Sequence, residues 1–334
     1  MALPVISVVM PFRNSAEWIA RALDSLLRQS FSHFEVLMID HGSSDSSREI
    51  AAEYTADSRF RLLDGNGSFV EALNYGLREA SGQWIARMDS DDICHPERLA
   101  LQYEAASRFG RRFIITSRVR CFPDYLVTAG FRRYEQWINS TVEPEEIERS
   151  LFVESPVPHP TGFFHRESVL QQGGYMDIPL PEDYELWLRL WSRGFSFYRV
   201  PKVLLGWREH RERLSRTSCR YSLTAFYRTR AMYLAHVPAL KGRDVFIAGA
   251  GQCARRLSAE LLKQRFTIRG FISPVPVESG RKLKGINVIE ASKWHSDCGV
   301  PVLVASRKQG ARERICTYLD SRGLENWKDY VICS

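Results

Sequence analysis

Three carboxylates fall within four positions in Arg87-Met88-Asp89-Ser90-Asp91-Asp92. Crowding of that kind is costly unless something compensates it. A hard divalent cation does so with oxygen ligands, and Mg2+ or Mn2+ is typically held by one or two carboxylates plus a diphosphate. A second acidic segment, Asp40-His41-Gly42-Ser43-Ser44-Asp45, follows another apolar run. At a strand end, Asp40 could accept hydrogen bonds from a ribose hydroxyl or a base N–H. Plainer alternatives stand beside both. The first segment could be a solvated turn with Asp92 capping a helix around Pro96 to Phe109, and Asp45 or Ser46 is a natural helix cap. A third acidic pair, Glu182-Asp183, opens a helix after Pro179-Leu180-Pro181, with Tyr184, Trp187, Leu188 and Trp191 as its buried stripe. An ionised carboxylate there could take a proton from a hydroxyl, or both acids could simply complement the helix dipole. Trp207-Arg208-Glu209-His210 adds a cation and an imidazole.

The elements that must position these residues alternate. Val5-Ile6-Ser7-Val8-Val9-Met10 has the apolar, β-branched look of a strand buried on both faces. Asn14 and Glu17 form a capping-box pattern before a helix with Trp18, Ile19, Ala22, Leu23, Leu26 and Leu27 on its apolar side. Phe34 to Ile39 reads as strand, Ser46 and Ser68 as caps of two further helices, and Trp84 to Met88 as strand. Strand and helix alternating to about Thr116 predict an α/β fold, an open, mostly parallel sheet with helices on both faces. Ligands of such sheets bind beyond the carboxyl ends of the strands, where both acidic segments fall. Together they describe a pocket for a nucleoside diphosphate and a metal.

At 334 residues the chain is long enough for two domains, and 44% hydrophobic with 25% charged residues is ordinary globular composition. The net charge of +7 is unevenly placed: residues 1–237 carry 29 Arg and Lys against 30 Asp and Glu, and residues 238–334 carry 17 against 9. Lys202 is the sole lysine of the first segment. This step predicts a boundary near Val237-Pro238, between a first domain over 1–237, whose helix-compatible stretch 217–237 reads as a connecting helix, and a smaller basic domain over 238–334. The second segment restarts the α/β pattern with strands at Asp244 to Ala248, Thr267 to Ile272 and Val300 to Ala305, and helices at Gly251 to Leu262 and Gln309 to Leu319. Seven cysteines without a C-x-x-C pair fit a reducing compartment. The longest stretch free of Asp, Glu, Lys and Arg, Met1 to Phe12, is too short to span a bilayer, and a cytoplasmic location is the expectation.

From Ile6 to about Ser215 the chain resembles glycosyltransferase family 2, of GT-A fold. The matching pieces are Ser7-Val8-Val9-Met10-Pro11-Phe12-Arg13-Asn14, Ile39-Asp40-His41-Gly42-Ser43-Ser44-Asp45, Ala72-Leu73-Asn74-Tyr75-Gly76, Met88-Asp89-Ser90-Asp91-Asp92, His159-Pro160-Thr161, Glu182-Asp183-Tyr184-Glu185-Leu186-Trp187-Leu188-Arg189 and Trp207-Arg208-Glu209-His210. The resemblance implies inverting, metal-dependent transfer of a sugar from a nucleotide-diphosphate donor to a hydroxyl acceptor, in a bacterial surface polysaccharide or lipopolysaccharide route. Asp89-Ser90-Asp91 is similar to the family's D-x-D element, so Asp91, with Asp89, would bind Mn2+ or Mg2+, and His210 would be a further ligand. Asp40 would contact the nucleoside, Pro11 and Asn14 would line the same edge, and Asn74, Asp89 and Arg208 would complete the nucleotide-sugar site. Asp183, next to Glu182, would be the general base. The family often has a second Asp where His41 stands, a position that touches the base, so uridine is not singled out. The implied partners are the nucleotide-sugar donor and a glycan or lipid-linked acceptor. From another functional class, a non-catalytic sugar-nucleotide-binding protein with a sensing or oligomerising tail fits the same carboxylates.

In the tail, Gly249-Ala250-Gly251-Gln252-Cys253-Ala254 follows a strand as G-x-G-x-x-A and opens a helix. The acid that should grip a ribose at the end of the next strand is missing; Phe271-Ile272-Ser273 stands there, against nicotinamide redox chemistry. The segment resembles small Rossmann-like modules of sugar-modifying enzymes. A nucleotide or sugar phosphate at the Gly249/Gly251 loop and a scaffold or homodimerisation role both stay open. The basic excess suits peripheral contact with an anionic membrane face. It carries no nucleic-acid-binding motif, and nucleic acid is not an expected partner.

Overall fold

The computed structural model describes residues 4–65, 67–242, 244–295, 299–307 and 310–334. Asn66 of the turn before the Ser68 helix and Gln309, the expected start of the last helix, lie outside the described residues. The chain forms two compact units: Met1–Glu148, Pro156–Ile178 and Glu185–Thr217 make the first, and Arg149–Ser155, Pro179–Tyr184 and Ser218–Ser334 the second.

The first unit is built on an eight-stranded sheet in the order Phe60–Asp64, Phe34–Asp40, Ile6–Phe12, Trp84–Arg87, Phe163–His165, Phe113–Phe122, Ser196–Arg208, Ile93–Cys94. The first four strands are mutually parallel, and Phe113–Phe122 is parallel to Ser196–Arg208. Phe163–His165 runs antiparallel to both its neighbours, and Ile93–Cys94 antiparallel to Ser196–Arg208. Two successive reversals therefore leave Ser196–Arg208 pointing the same way as Trp84–Arg87, so Arg208 and Arg87 end at one edge. Ile6–Phe12 and Phe34–Asp40 are buried throughout, as apolar runs without alternation require. Their alternate side chains meet helices on opposite faces. Val8 and Met10 join Ile19, Leu23 and Leu26 in one core, whereas Val9 and Ile39 close on Gly76 of helix Phe69–Glu79.

Local signals were obeyed unevenly. Ser68 and Glu71 form the expected reciprocal capping box. Asn14 does not cap: helix Ile19–Leu27 follows Trp18 with no side-chain cap, and Asn14 adopts φ 50° with its Oδ1 accepting from Ser44 N at 2.8 Å. Ser46 makes no capping bond either; Asp45 Oδ1 accepts from Ser47 N at 3.0 Å. Asp92 is not the cap of helix Arg98–Phe109, which follows Glu97.

The second unit carries a six-stranded sheet in the order Lys282–Leu283, Ile286–Glu290, Thr267–Ser273, Asp244–Ala248, Val302–Val304, Tyr330–Ile332. All its pairs are parallel except the first. Phe246, Ile272, Val304, Ile315 and Leu319 anchor its core. The strands Ile286–Glu290 and Tyr330–Ile332 were not foreseen. Helix Leu223–Leu234, expected as a connector, groups with this unit, whose main segment begins at Ser218. Among the described residues no helix is long and apolar enough to cross a membrane.

Candidate active site

The acidic segment begins two residues after strand Trp84–Arg87, and its backbone turns so that Asp89, Asp91 and Asp92 each bring a carboxylate oxygen within 4.8 Å of the others. Residues from the far end of the sheet surround them. His210 Nε2 lies 2.8 Å from Asp91 Oδ2. Arg208 Nε donates to the Asp91 carbonyl at 2.6 Å, and Arg208 N donates to Asp92 Oδ1 at 2.7 Å. The Ser90 hydroxyl meets Ser15 Oγ at 2.8 Å, tying the turn to the loop after Ile6–Phe12. Trp18 packs on the His210 ring at 4.2 Å between centroids.

The electrostatics fit a bound cation. Burial pushes the Asp92 carboxyl well above its usual range, and the charges of Asp91 and Asp89 push the same way. Burial likewise raises Asp89, outweighing its ion pair with Arg87, and Asp91 adds to the rise. For Asp91 burial is overcome by the hydrogen bond from His210 and the charge of Arg213, which hold its carboxyl below the ordinary value. Asp92 Oδ2 is buried with no hydrogen-bond partner. Three crowded carboxylates with one orphaned oxygen are a hard-cation donor set.

Asp40 sits at the same sheet edge, at the end of Phe34–Asp40, with two strand spacings of about 5 Å between that strand and Trp84–Arg87. Its Oδ1 accepts from Ser43 N at 2.9 Å, and Arg48 approaches Oδ2 at 3.6 Å while pairing with Asp64. Pro11 is buried in the adjacent strand opposite Ile39, and exposed Asn14 is tied to the loop after Asp40 through Ser43 and Ser44. His41 Nδ1 is buried without a partner, and burial, then the charge of Arg13, lowers the imidazole pKa. Asn74 works differently. Its amide brackets the Tyr175 peptide, donating to the carbonyl at 2.8 Å and accepting from the N–H at 2.9 Å, so its immediate role is to hold that loop.

The Glu182-Asp183 pair opens helix Glu182–Ser192 as expected, and this first turn groups with the second unit. Asp183 Oδ1 accepts from Tyr184 N at 2.7 Å. Both Glu182 oxygens lie 2.7 Å from the Tyr221 hydroxyl. Burial, then the neighbouring Asp183 charge, pushes Glu182 up to about 8.

The structure thus brings together Asp89, Asp91, Arg208 and His210 and sets Asp40, Pro11 and Asn14 on the same edge. Sequence reasoning missed two cations. Arg87 is only 2% exposed, ion-pairs with Asp89 and has a buried Nε without a hydrogen-bond partner. Arg213 lies over the Trp207 ring at 4.6 Å, and its charge bears on all three aspartates. An arginine two residues before an acidic turn was a visible signal for Arg87; nothing near Arg213 in sequence marked it.

Known proteins resemble this chain in sequence and in fold. The chain is 28% identical over 238 residues to the O-antigen biosynthesis glycosyltransferase WbnJ of Escherichia coli, covering 68% of this chain and 89% of WbnJ. It is 26% identical over 219 residues to an uncharacterized glycosyltransferase of Haemophilus influenzae, covering 62% of this chain and 66% of that one. Among solved structures, S. aureus TarS 1-349 superposes with a TM-score of 0.53 at 18% identity, covering 78% of this chain and 71% of TarS, and the same protein in complex with UDP-GlcNAc gives 0.52 at 16% identity, covering 78% and 73%. These likenesses establish a GT-A-type α/β fold. The Glycosyl transferase family 2 model matches residues 7–174, from the first strand through the acidic turn to the loop that Asn74 holds, and so this chain belongs to glycosyl transferase family 2 and is a glycosyltransferase.

Proposed function

We propose that the protein transfers a sugar, with inversion, from a nucleoside-diphosphate donor to a hydroxyl of a glycan or lipid-linked acceptor in surface polysaccharide synthesis, at the cytoplasmic face of the membrane. The observation that carries this reading is the cluster of Asp89, Asp91 and Asp92 at the carboxyl edge of the sheet, with His210 on Asp91. The name of WbnJ and the UDP-GlcNAc complex of TarS support the pathway and the donor class.

Asp91, Asp89 and Asp92 would hold a divalent ion, Mn2+ or Mg2+, with His210 orienting Asp91. Bound there, such an ion supplies charge stabilisation to the departing nucleoside diphosphate. Asp40, Pro11 and Asn14 form the edge for the nucleoside, and Arg208 adds positive charge beside Asp91. Asp183 removes the acceptor proton. Its neighbour Glu182, pushed up to about 8, is mostly protonated at neutral pH and is not free to take a proton, while a helix N-terminus favours a negative charge in its first turn, where Asp183 stands. No covalent sugar-enzyme intermediate is required.

The test is a panel of nucleotide sugars with Mn2+ or Mg2+, scored for donor binding by calorimetry and for donor hydrolysis or transfer. Metal-dependent binding of one donor with turnover is the expected result. Full activity in excess chelator would remove the metal role, and binding without turnover across a broad acceptor set would remove the catalytic one.

A further inference from the structure

Strand order in the second unit reverses beside Asp244–Ala248: the chain moves outward through Thr267–Ser273 and Ile286–Glu290, then returns to add Val302–Val304 on the other side. The crevice beyond the carboxyl ends of Asp244–Ala248 and Val302–Val304 is where such sheets take ligands. Gly249 leaves the first of these strands with φ 124°, and a Cβ on it would lie 2.5 Å from the Ala305 carbonyl oxygen. Gly251 precedes helix Gln252–Lys263; no side chain caps this helix, and no atom lies within 4 Å of where a Gly251 Cβ would stand. The first-turn N–H groups therefore lack a side-chain acceptor and have room beside them for an anion.

An independent sign of a ligand comes from Tyr227. It is 1% exposed, its hydroxyl faces the Cys253 thiol in the first turn of that helix, and it has no hydrogen-bond partner of ordinary geometry. An unpaired buried phenol is unfavourable, and an incoming oxygen acceptor relieves it. Arg307, three residues beyond Val302–Val304, supplies a cation at the neighbouring strand end, where the carboxylate of Glu154 now pairs with it. A dinucleotide's ribose finds no acidic partner at the end of Thr267–Ser273. Where a ribose-gripping acid would stand, Ser273 donates its hydroxyl to the Val275 carbonyl at 2.8 Å.

We propose that the Gly249–Gly251 loop, the first turn of Gln252–Lys263, Tyr227 and Arg307 form a second ligand site, which binds the phosphate of a sugar phosphate or mononucleotide. The excess of 17 basic over 9 acidic residues in 238–334 favours its approach. The site stands whether or not the proposed transfer reaction is correct.

Calorimetry on the full chain tests it, using Asp91→Asn protein in EDTA so that metal-dependent nucleotide binding is silent. The probes are inorganic phosphate, glucose 1-phosphate, UMP, NAD and unphosphorylated glucose. Glucose 1-phosphate or UMP is expected to bind, glucose to be inert and NAD to bind more weakly than UMP. Gly251→Asp and Arg307→Gln, at positions with room and exposure, should each weaken binding at least ten-fold while circular dichroism stays that of the parent. Failure of every phosphorylated probe at millimolar concentration would overturn the proposal, as would NAD binding tighter than UMP. Unchanged affinity in both folded variants would equally sink it.

Discussion

His210 Nε2 sits 2.8 Å from Asp91 Oδ2, although 119 residues separate them in the chain. Asp91 belongs to the turn after Trp84–Arg87, and His210 follows Ser196–Arg208; the two strands run in the same direction and end at the same edge. One imidazole thereby fixes the orientation of the carboxylate best placed to stay ionised, since it is the one whose pKa is held down.

If His210 orients Asp91 for a metal, its replacement is felt first in metal affinity. His210→Ala should weaken Mn2+ binding about 10–100-fold, as removal of such supporting partners does. Asp91→Asn should lose Mn2+ binding altogether, and EDTA should abolish transfer by the parent enzyme. Calorimetric titration of Mn2+ in the presence of donor reads this; equal affinity in His210→Ala would remove the histidine from the site.

Asp183→Asn should lower kcat by about 10²–10⁴-fold, the usual worth of a positioned general base. Donor binding should be unchanged, because the base acts on the acceptor. Glu182→Gln should keep most activity at neutral pH, where Glu182 already carries its proton. Steady-state kinetics of both variants decide the assignment, and a fully active Asp183→Asn enzyme would refute it.

Glu182 also gives stability a pH dependence. Its folded pKa of about 8 lies above its ordinary 4.5. Between these values the unfolded chain has released the proton that the folded chain keeps, so stability falls as pH rises across this window. The contribution is full below about 4.5 and gone above about 8. Thermal melts of the parent should therefore drop more between pH 5 and pH 8.5 than those of Glu182→Gln; parallel slopes would contradict the assignment.

Gly76 lies where helix Phe69–Glu79 crosses the sheet, and a Cβ on it would come 2.5 Å from Val9 Cγ1 and 2.6 Å from Ile39 Cδ1. Alanine gains about 1 kcal/mol of helix propensity over glycine, but forcing a methyl into a packed core costs about 1–3 kcal/mol. Both neighbours are β-branched side chains in buried strands, so overpacking wins. Gly76→Ala should be net destabilising by about 1 kcal/mol, measured by urea denaturation of the two proteins side by side.

The alternating strands and helices, the Ser68–Glu71 capping box and the G-x-G-x-x-A turn were all legible in the order of residues, because each depends on neighbours a few positions apart. So was the acidic turn, since a strand ending in three near-adjacent aspartates leaves its carboxylates crowded under any fold. The roles of Asn14 and Asp92 were not legible. Local pattern made both helix caps, yet Asn14 receives Ser44 N and Asp92 receives Arg208 N, partners 30 and 116 residues away. Arg87 and Arg213 likewise take their meaning from what surrounds them. Periodicity and capping are set by the geometry of one helix or strand, whereas strand order, two reversals within the sheet and the register at its edge decide which distant side chains share a few ångströms, and no short stretch of chain encodes those.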